Sequence, residues 1–483
     1  MLKKWRMKYR QMSPVVRSSF WFTFCNFLQR GTALITVPVF TRLLTVEEYG
    51  LCNIYFSWFD IFVLLTSLKI PYEGLHNGLI RYEKDKDGYT SSMAGIILTL
   101  TIVTGFFYFV CRQKINEITG LNTRFMLVML IHLMWNPMLV LWMNREKYDF
   151  HYRLPLVVTV VSTVLNPILA ICMIYFTSLR AEARILGMVL TQCSAGLGCF
   201  LFLMIRGRKL YKKEYWHFAL SFNLPLFPYY LSQFILNQSD RIMIQFFSGN
   251  EKAGLYSVAY SAASLGMLLV SAINGSVTPW IYKKLKAGQR EELGRVLLLL
   301  CGLVMGINLM ITGFAPDLIS IMATSEYREA IWIIPPVANS IFFLYLYMTF
   351  SSIEMYYGAT GFVSLSSVLA AILNFGLNAC FIPRCGYMAA GWTTFFCYLF
   401  LAGLHYCLLQ KIEKRKKKNK KKIIPGKELF LLSLAVIILT FFMMGTYLLG
   451  HLRYLLLVGM LIIFWKHKKQ FIRLLYKIKM EEK

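Results

Sequence analysis

Charged residues are what this chain lacks most. They make up 16% of its 483 residues, against 57% hydrophobic, whereas soluble globular chains carry about 25% charge. Mean hydropathy is +0.53, which excludes a soluble multi-domain enzyme and a disordered chain alike. No C-x-x-C occurs among the eleven cysteines. Most of them, including Cys25, Cys111, Cys172, Cys301 and Cys397, sit in apolar runs and read as small buried residues rather than a disulfide or metal framework. No G-x-x-x-x-G-K-[ST] is present: Gly426 and Lys427 are followed by Glu428, which speaks against ATP hydrolysis. H-E-x-x-H and G-x-S-x-G are also missing, and no loop is long enough to hold a domain. Catalytic residues, metal ligands and a cofactor are therefore not assigned.

What is present is a series of apolar runs of spanning length. They fall near 18–43, 49–70, 89–111, 124–143, 154–176, 184–205, 220–247, 254–278, 294–316, 330–352, 360–382, 386–410, 429–449 and 452–466. The sequence predicts an all-α polytopic membrane protein of fourteen transmembrane helices. Lys and Arg total 52 against 24 acids, a net charge of +28. With the N-terminus inside, about 40 of these basic residues fall on inner segments and about 10 on outer ones. By the positive-inside rule both termini are expected in the cytoplasm. The run 411–422 reads as a solvated basic linker that meets anionic lipid headgroups, not nucleic acid. Segments 207–220 and 467–480 mix Lys with aromatic residues, as interfacial helices do.

An internal echo divides the chain. RLLTVEEYGLCNIYFSW (42–58) and FFSGNEKAGLYSVAYSA (246–262) share E-x-x-G-L, with Glu47, Gly50 and Leu51 matching Glu251, Gly254 and Leu255. An even number of spans separates the copies, so the halves run in the same direction. Parallel halves of this kind are a transporter architecture, with the site expected between them. The expected organisation is an N-terminal lobe (1–205), an interfacial helix with a C-terminal lobe (206–410), a basic linker (411–428), and two further spans with a basic tail (429–483). The two lobes would hold six helices each in a pseudo-two-fold arrangement.

Polar groups inside spans mark the candidate site, because an ionised side chain at mid-membrane costs roughly 2.5–3.5 kcal/mol on insertion scales. Arg30 lies near the middle of the first span, with Asn26 one turn earlier and Gln29 adjacent. Asp60 on the second span reaches a comparable depth. Two readings stay open: a structural Arg30–Asp60 pair, or Arg30 facing a cavity and holding an anionic ligand. In the seventh span Gln233, Asn237 and Arg241 recur every four residues and form one polar stripe. Asp240 points about 100° away from Arg241. That stripe faces either the bundle interior or a structural network with its neighbour. Asn374 and Asn378 repeat the i, i+4 pattern in the eleventh span, where helix–helix hydrogen bonding is expected. Of seven histidines, His132 alone reads as deep in a span, near Asn136, as a hydrogen-bonded structural residue.

SDRIMIQFFSGNEKAGLYSVAYSA (239–262), together with VPVFTRLLTVEEYGLCNIY (37–55), resembles the polysaccharide-transport branch of the MOP (multidrug/oligosaccharidyl-lipid/polysaccharide) exporter superfamily. The resemblance implies a Wzx-type flippase. Such a protein moves undecaprenyl-diphosphate-linked oligosaccharide from the inner to the outer leaflet of the bacterial plasma membrane by alternating access, for surface polysaccharide biosynthesis. It further implies that Arg30, matching the central Arg of the first span in related flippases, contacts the diphosphate. Asn26, Arg241, Asn237 and Gln233 would complete the substrate-binding set. Asp60 and Asp240 would serve as coupling groups for Na+ or H+, or as ion-pair partners. The alternatives are a cation-coupled multidrug exporter of the same superfamily and a membrane glycan polymerase or ligase.

Overall fold

The computed structural model describes residues 13–415, 423–450, 453–462 and 466, leaving aside the side chains of residues 30 and 33. The expected basic tail and most of the linker lie outside the described residues. The chain forms two compact units, 1–234 and 235–483.

The first unit holds α1 (Pro14–Leu43), α2 (Val46–Ser67), α3 (Leu75–Arg81), α4 (Lys86–Val110), α5 (Arg112–Thr119), α6 (Thr123–Tyr148), α7 (Arg153–Phe176), α8 (Ala181–Gly207) and α9 (Lys213–Asn223). Helix α2 starts on a capping box: the Thr45 hydroxyl accepts from the Glu48 amide while the Glu48 carboxylate accepts from the Thr45 amide. Two orphan donors are thereby satisfied at the first copy of the repeated motif. Helices α6, α7 and α8 approach closely through small residues. A Cβ at Gly196 would collide with the Trp135 carbonyl, and one at Gly187 with the backbone of Ala170. Close backbone contact of this kind is how helices associate where burial from water supplies no drive. The outer faces stay apolar and exposed, as at Val157, Val161, Ile168 and Phe176 on α7, because lipid rather than protein covers them. Cys172 shares that exposed surface and Cys111 is half-buried, whereas Cys25, Cys301 and Cys397 are buried as expected.

The sequence placed the interfacial helix with the C-terminal half. In the structure α9 belongs to the first unit, with Tyr215 and Ala219 in one apolar core with Tyr89, Met93 and Trp142. The Tyr215 hydroxyl and Lys209 Nζ each donate to Asp85 at 2.6 Å, and Trp216 Nε1 donates to the Ser92 carbonyl at 3.1 Å. The amphipathic pattern announced an interface but not which surface it meets. At the same end, Arg145 donates to Asp149 and, at 3.0 Å, to Asp87, with Lys86 3.7 Å from Asp149. Burial pushes the Asp149 carboxyl upward, but the Arg145 hydrogen bond and charge, with Lys86, hold it below the usual range.

The second unit holds most of α10 (Phe227–Ala263), then α11 (Leu265–Lys286), α12 (Arg290–Gly313), α13 (Ala315–Met322), α14 (Ile334–Tyr356), α15 (Thr360–Cys385), α16 (Ala389–Arg415), α17 (Gly426–Gly445) and α18 (Arg453–Ile462). Gly249, with φ +85°, breaks α10 into two helices just before the second copy of the motif, a conformation that suits glycine. Helix α14 runs through the core, flanked by Trp280, Leu297, Phe395 and Leu401. Asn339 on α14 accepts from Asn308 on α12 at 2.7 Å and from Thr440 on α17 at 2.9 Å. The short α18 is anchored near its start by polar residues: Arg453 and Tyr454 both donate to Asp317 at 2.7–3.1 Å. Across the basic linker, the Ile423 amide donates to Glu413 at 2.7 Å, so the ends of the linker are held close.

Among the described residues eleven helices are long and apolar enough to cross a membrane. The remaining three of the fourteen expected spans correspond to α1, the front of α10, and the short α18. Helices α1 and α10 each open one half of the repeat. Both are set apart by polar residues, and both carry the substrate-binding residues expected from the sequence.

Candidate functional site

In the first unit, polar groups of α1 meet those of α7 and α8 around a cavity of about 440 Å³. Gln29, Thr32 and Thr36 line it from α1, Ser162, Thr163 and Asn166 from α7, and Gln192 from α8. Spacings of three and four residues put the α1 group on one helical face. Among the described residues, no ionisable side chain lines this cavity. Hydroxyls and amides both donate and accept, so the cavity suits an uncharged, hydroxyl-rich ligand. Sequence reasoning noted Gln29 but missed the rest, because isolated Thr and Ser in apolar runs give no signal until the helices are assembled. Asn26 lies on α1 and is exposed, as is Asp60 on α2. Arg30 lies in the middle of α1, and its side chain falls outside the described residues, so the choice between an Asp60 pair and a ligand contact stays a proposal.

Beside the cavity Gln192 joins two residues of α6. Its Oε1 accepts from Asn136 Nδ2 at 2.6 Å and lies 2.7 Å from His132 Nε2. An amide oxygen only accepts, so Nε2 carries the hydrogen and Nδ1, 3.5 Å from the Tyr55 hydroxyl, is the acceptor. The ring stacks on Phe59 with centroids 3.8 Å apart. His132 is thus satisfied as a neutral base, in the structural role expected of it.

The residues of α10, most of which belongs to the second unit, separate by face. Gln233, Asn237 and Arg241 are all half-buried. Arg241 donates to Gln238 on its own helix, and its guanidinium lies over the Tyr260 ring, 4.6 Å from the centroid. Asp240 is buried on the other face, and no ion pair to it is found among the described residues. Its carboxylate accepts from Tyr256 at 2.7 Å, Thr394 at 2.6 Å and Asn378 at 2.6 Å. The cluster extends outward: Asn374 accepts from Ser239 at 3.0 Å, and Asn378 accepts from Thr393. Asn374 and Asn378 do tie helices together, as their spacing implied. The partners Tyr256, Thr393 and Thr394 were not legible beforehand.

Sequence reasoning also missed a second buried carboxylate. His405 on α16 and Glu354 on α14 are both fully buried and lie 2.6 Å apart. His132 is therefore not the only histidine deep in a span. Each of the two residues stands alone in an apolar run, so no spacing linked them. A further cavity of about 570 Å³ lies beside α13 and α18, lined by Asp317, Ser320, Thr324, Arg328 and Arg453.

Comparison with known proteins bears on this arrangement. The profile of the family described as "Polysaccharide biosynthesis protein" matches residues 15–285. An uncharacterized membrane protein of Haemophilus influenzae is 24% identical over 360 residues, covering 71% of this chain and 84% of that protein. Among solved structures, the lipid II flippase MurJ in an inward closed conformation superposes with a TM-score of 0.72 at 13% identity, covering 94% of this chain and 99% of MurJ. An inward-facing multidrug resistance MATE family transporter of the MOP superfamily superposes with a TM-score of 0.60 at 13% identity, covering 83% of this chain and all of that one.

Proposed function

Given that the chain belongs to the polysaccharide biosynthesis protein family, in the transport branch of the MOP superfamily, we propose that it flips polyprenyl-diphosphate-linked oligosaccharide from the cytoplasmic to the outer leaflet of the bacterial plasma membrane. In this reading both termini lie in the cytoplasm, a placement that the distribution of basic residues supports. The observation that carries the reading is the neutral polar cavity on α1, α7 and α8. Its described lining offers donors and acceptors for sugar hydroxyls and, among the described residues, no acid to hold a cationic drug, which favours a glycan over a multidrug substrate. The glycan occupies polar surroundings while the polyprenyl tail stays in lipid. Arg30 meets the diphosphate: a guanidinium presents paired donors that match two phosphate oxygens. Asn26, Gln233, Asn237 and Arg241 are the further candidates for substrate contact. Movement proceeds by alternating access without ATP hydrolysis.

Asp240 is the coupling group, with Asp60 on α2 the second candidate. Around Asp240, the side-chain oxygens of Asn374, Asn378, Thr393 and Thr394 form the hard donor set that a small cation such as Na+ takes. Without a cation, the hydroxyls and amide hydrogens turn to the carboxylate.

The deciding experiment is flipping of lipid-linked oligosaccharide in vesicles. Arg30→Ala should cut flipping roughly ten- to hundredfold, the loss of one to two charge-assisted hydrogen bonds, while membrane insertion persists. Arg30→Lys should fall between. Full activity in a folded Arg30→Ala protein would remove the diphosphate contact and leave Arg241 as the remaining cation within a span. A strict need for ATP hydrolysis by the purified chain would overturn the gradient-driven mechanism.

A further inference from the structure

The Glu354–His405 pair takes no part in the substrate cavity or the Asp240 cluster, yet its wiring is unusual. Nδ1 of His405 lies 2.6 Å from Glu354 Oε2, and a carboxylate accepts, so Nδ1 carries a hydrogen. Nε2 lies 3.0 Å from the Ser366 hydroxyl on α15. That hydroxyl has one hydrogen and a competing acceptor, the Phe362 carbonyl at 2.6 Å. With Glu354 ionised, two arrangements follow. With the Ser366 hydrogen turned toward Nε2, the ring is neutral and Glu354 is a lone buried negative charge. With it turned toward Phe362, the hydroxyl oxygen accepts from a second N–H, and the pair is an imidazolium beside a carboxylate. An isolated buried charge costs far more than a hydrogen-bonded pair. The second Glu354 oxygen, Oε1, is buried without a partner, so nothing else compensates the carboxylate.

The surroundings leave the choice to one proton. On α14 the other titratable side chain at the ring is Tyr347, 4.9 Å from the imidazole, and Phe362 of α15 closes the pocket edge-on at 5.8 Å. Among the described residues, neither α11, α12, α15 nor α17 brings a charge that acts on the Glu354 carboxylate; His405 of α16 alone does.

We propose that Glu354, His405 and Ser366 form a proton-binding site within the second unit. The proton adds at His405 Nε2, Ser366 turns its own hydrogen to the Phe362 carbonyl and accepts, and Glu354 balances the charge. Glu354 is two residues from the end of α14 and Ser366 six from the start of α15. Both therefore lie within about 10 Å of the turn that joins these helices. By the distribution of basic residues this is the cytoplasmic end, so protons exchange with that side when the helices part. Since the site ties α14, α15 and α16 together, its occupancy biases how the three pack. It stands apart from the substrate assigned above and from Asp240.

The test needs no substrate. Full-length protein labelled with 15N-histidine is placed in phosphatidylethanolamine–phosphatidylglycerol vesicles and followed by solid-state NMR between about pH 5 and pH 9. His405→Gln identifies the signal. With the site occupied, both ring nitrogens of His405 should carry a hydrogen at pH 7. Glu354→Gln should weaken proton binding at least tenfold, and Asp240→Asn should leave it in place. A neutral His405 at pH 7 in the wild type overturns the site, and that signal decides even if the variants fail to fold. A transition unmoved by Glu354→Gln overturns the role of the carboxylate. A large shift with Asp240→Asn overturns the separation of the two sites.

Discussion

The two units treat buried polarity in opposite ways. In the first, a histidine, two amides and a phenol satisfy one another without charge, beside a cavity lined by hydroxyls and amides. In the second, the Asp240 and Glu354 carboxylates are buried, one held by three neutral donors and the other by an imidazole. His132 and His405 make the contrast sharpest: both are fully buried, yet one faces an amide oxygen and the other a carboxylate. A buried ring is therefore neutral or chargeable according to its partner rather than its depth. A neutral interior suits a passing uncharged ligand, and a carboxylate interior suits an ion or proton. On the proposed function, the first unit would serve binding and the second coupling.

The largest test of this contrast is stability after removal of a histidine partner. Glu354→Ala leaves His405 without the charge that balances it and should cost about 3–5 kcal/mol. Gln192→Ala leaves His132 with one unmet neutral hydrogen bond and should cost about 1–3 kcal/mol. Unfolding of the two variants in the same detergent compares them directly, and equal losses would abolish the distinction. A smaller effect is expected at Asp240. Asp240→Asn keeps a side chain of the same shape among Tyr256, Asn378 and Thr394, so its stability cost should be about 1 kcal/mol. Flipping should nevertheless lose its dependence on the ion gradient. Retained dependence would move coupling away from this cluster.

The smallest effect lies in the charge network of the first unit. With Asp149 held below the usual carboxylate range, its contribution is complete above its unfolded value of about 3.9 and disappears as pH falls through the lower folded value. The pair is partly exposed, so less than about 1 kcal/mol is at stake. Asp149→Asn should lower the thermal midpoint slightly at pH 6 and leave it unchanged near pH 2. A difference that grows with acidity would reverse the assignment.

Legibility in the sequence tracks the range of the interaction. Arg30, Asn26 and the Gln233–Asn237–Arg241 stripe were visible because an ionised or amide side chain inside an apolar run stands out locally. Asn374 and Asn378 revealed themselves by spacing along one helix. The Thr and Ser residues around the cavity were silent, since each is unremarkable in its own span and becomes a site only where three helices converge. The home of α9 was equally hidden, because amphipathicity specifies that one face is covered and not by what.

The sequence alone determined that the chain is an all-helical membrane protein, where most of its spans fall, and that its first helix in each half is unusually polar. These depend on transfer free energies of contiguous segments, which need no fold to evaluate. Tertiary structure decided which polar side chains meet. Glu354 and His405 lie 51 positions apart, Asp240 and Thr394 154, and only the rotation and packing of helices bring such residues within hydrogen-bonding distance. Whether a buried group is neutral, paired or ready to take a proton was settled there, because that choice depends on a partner a few ångströms away in space.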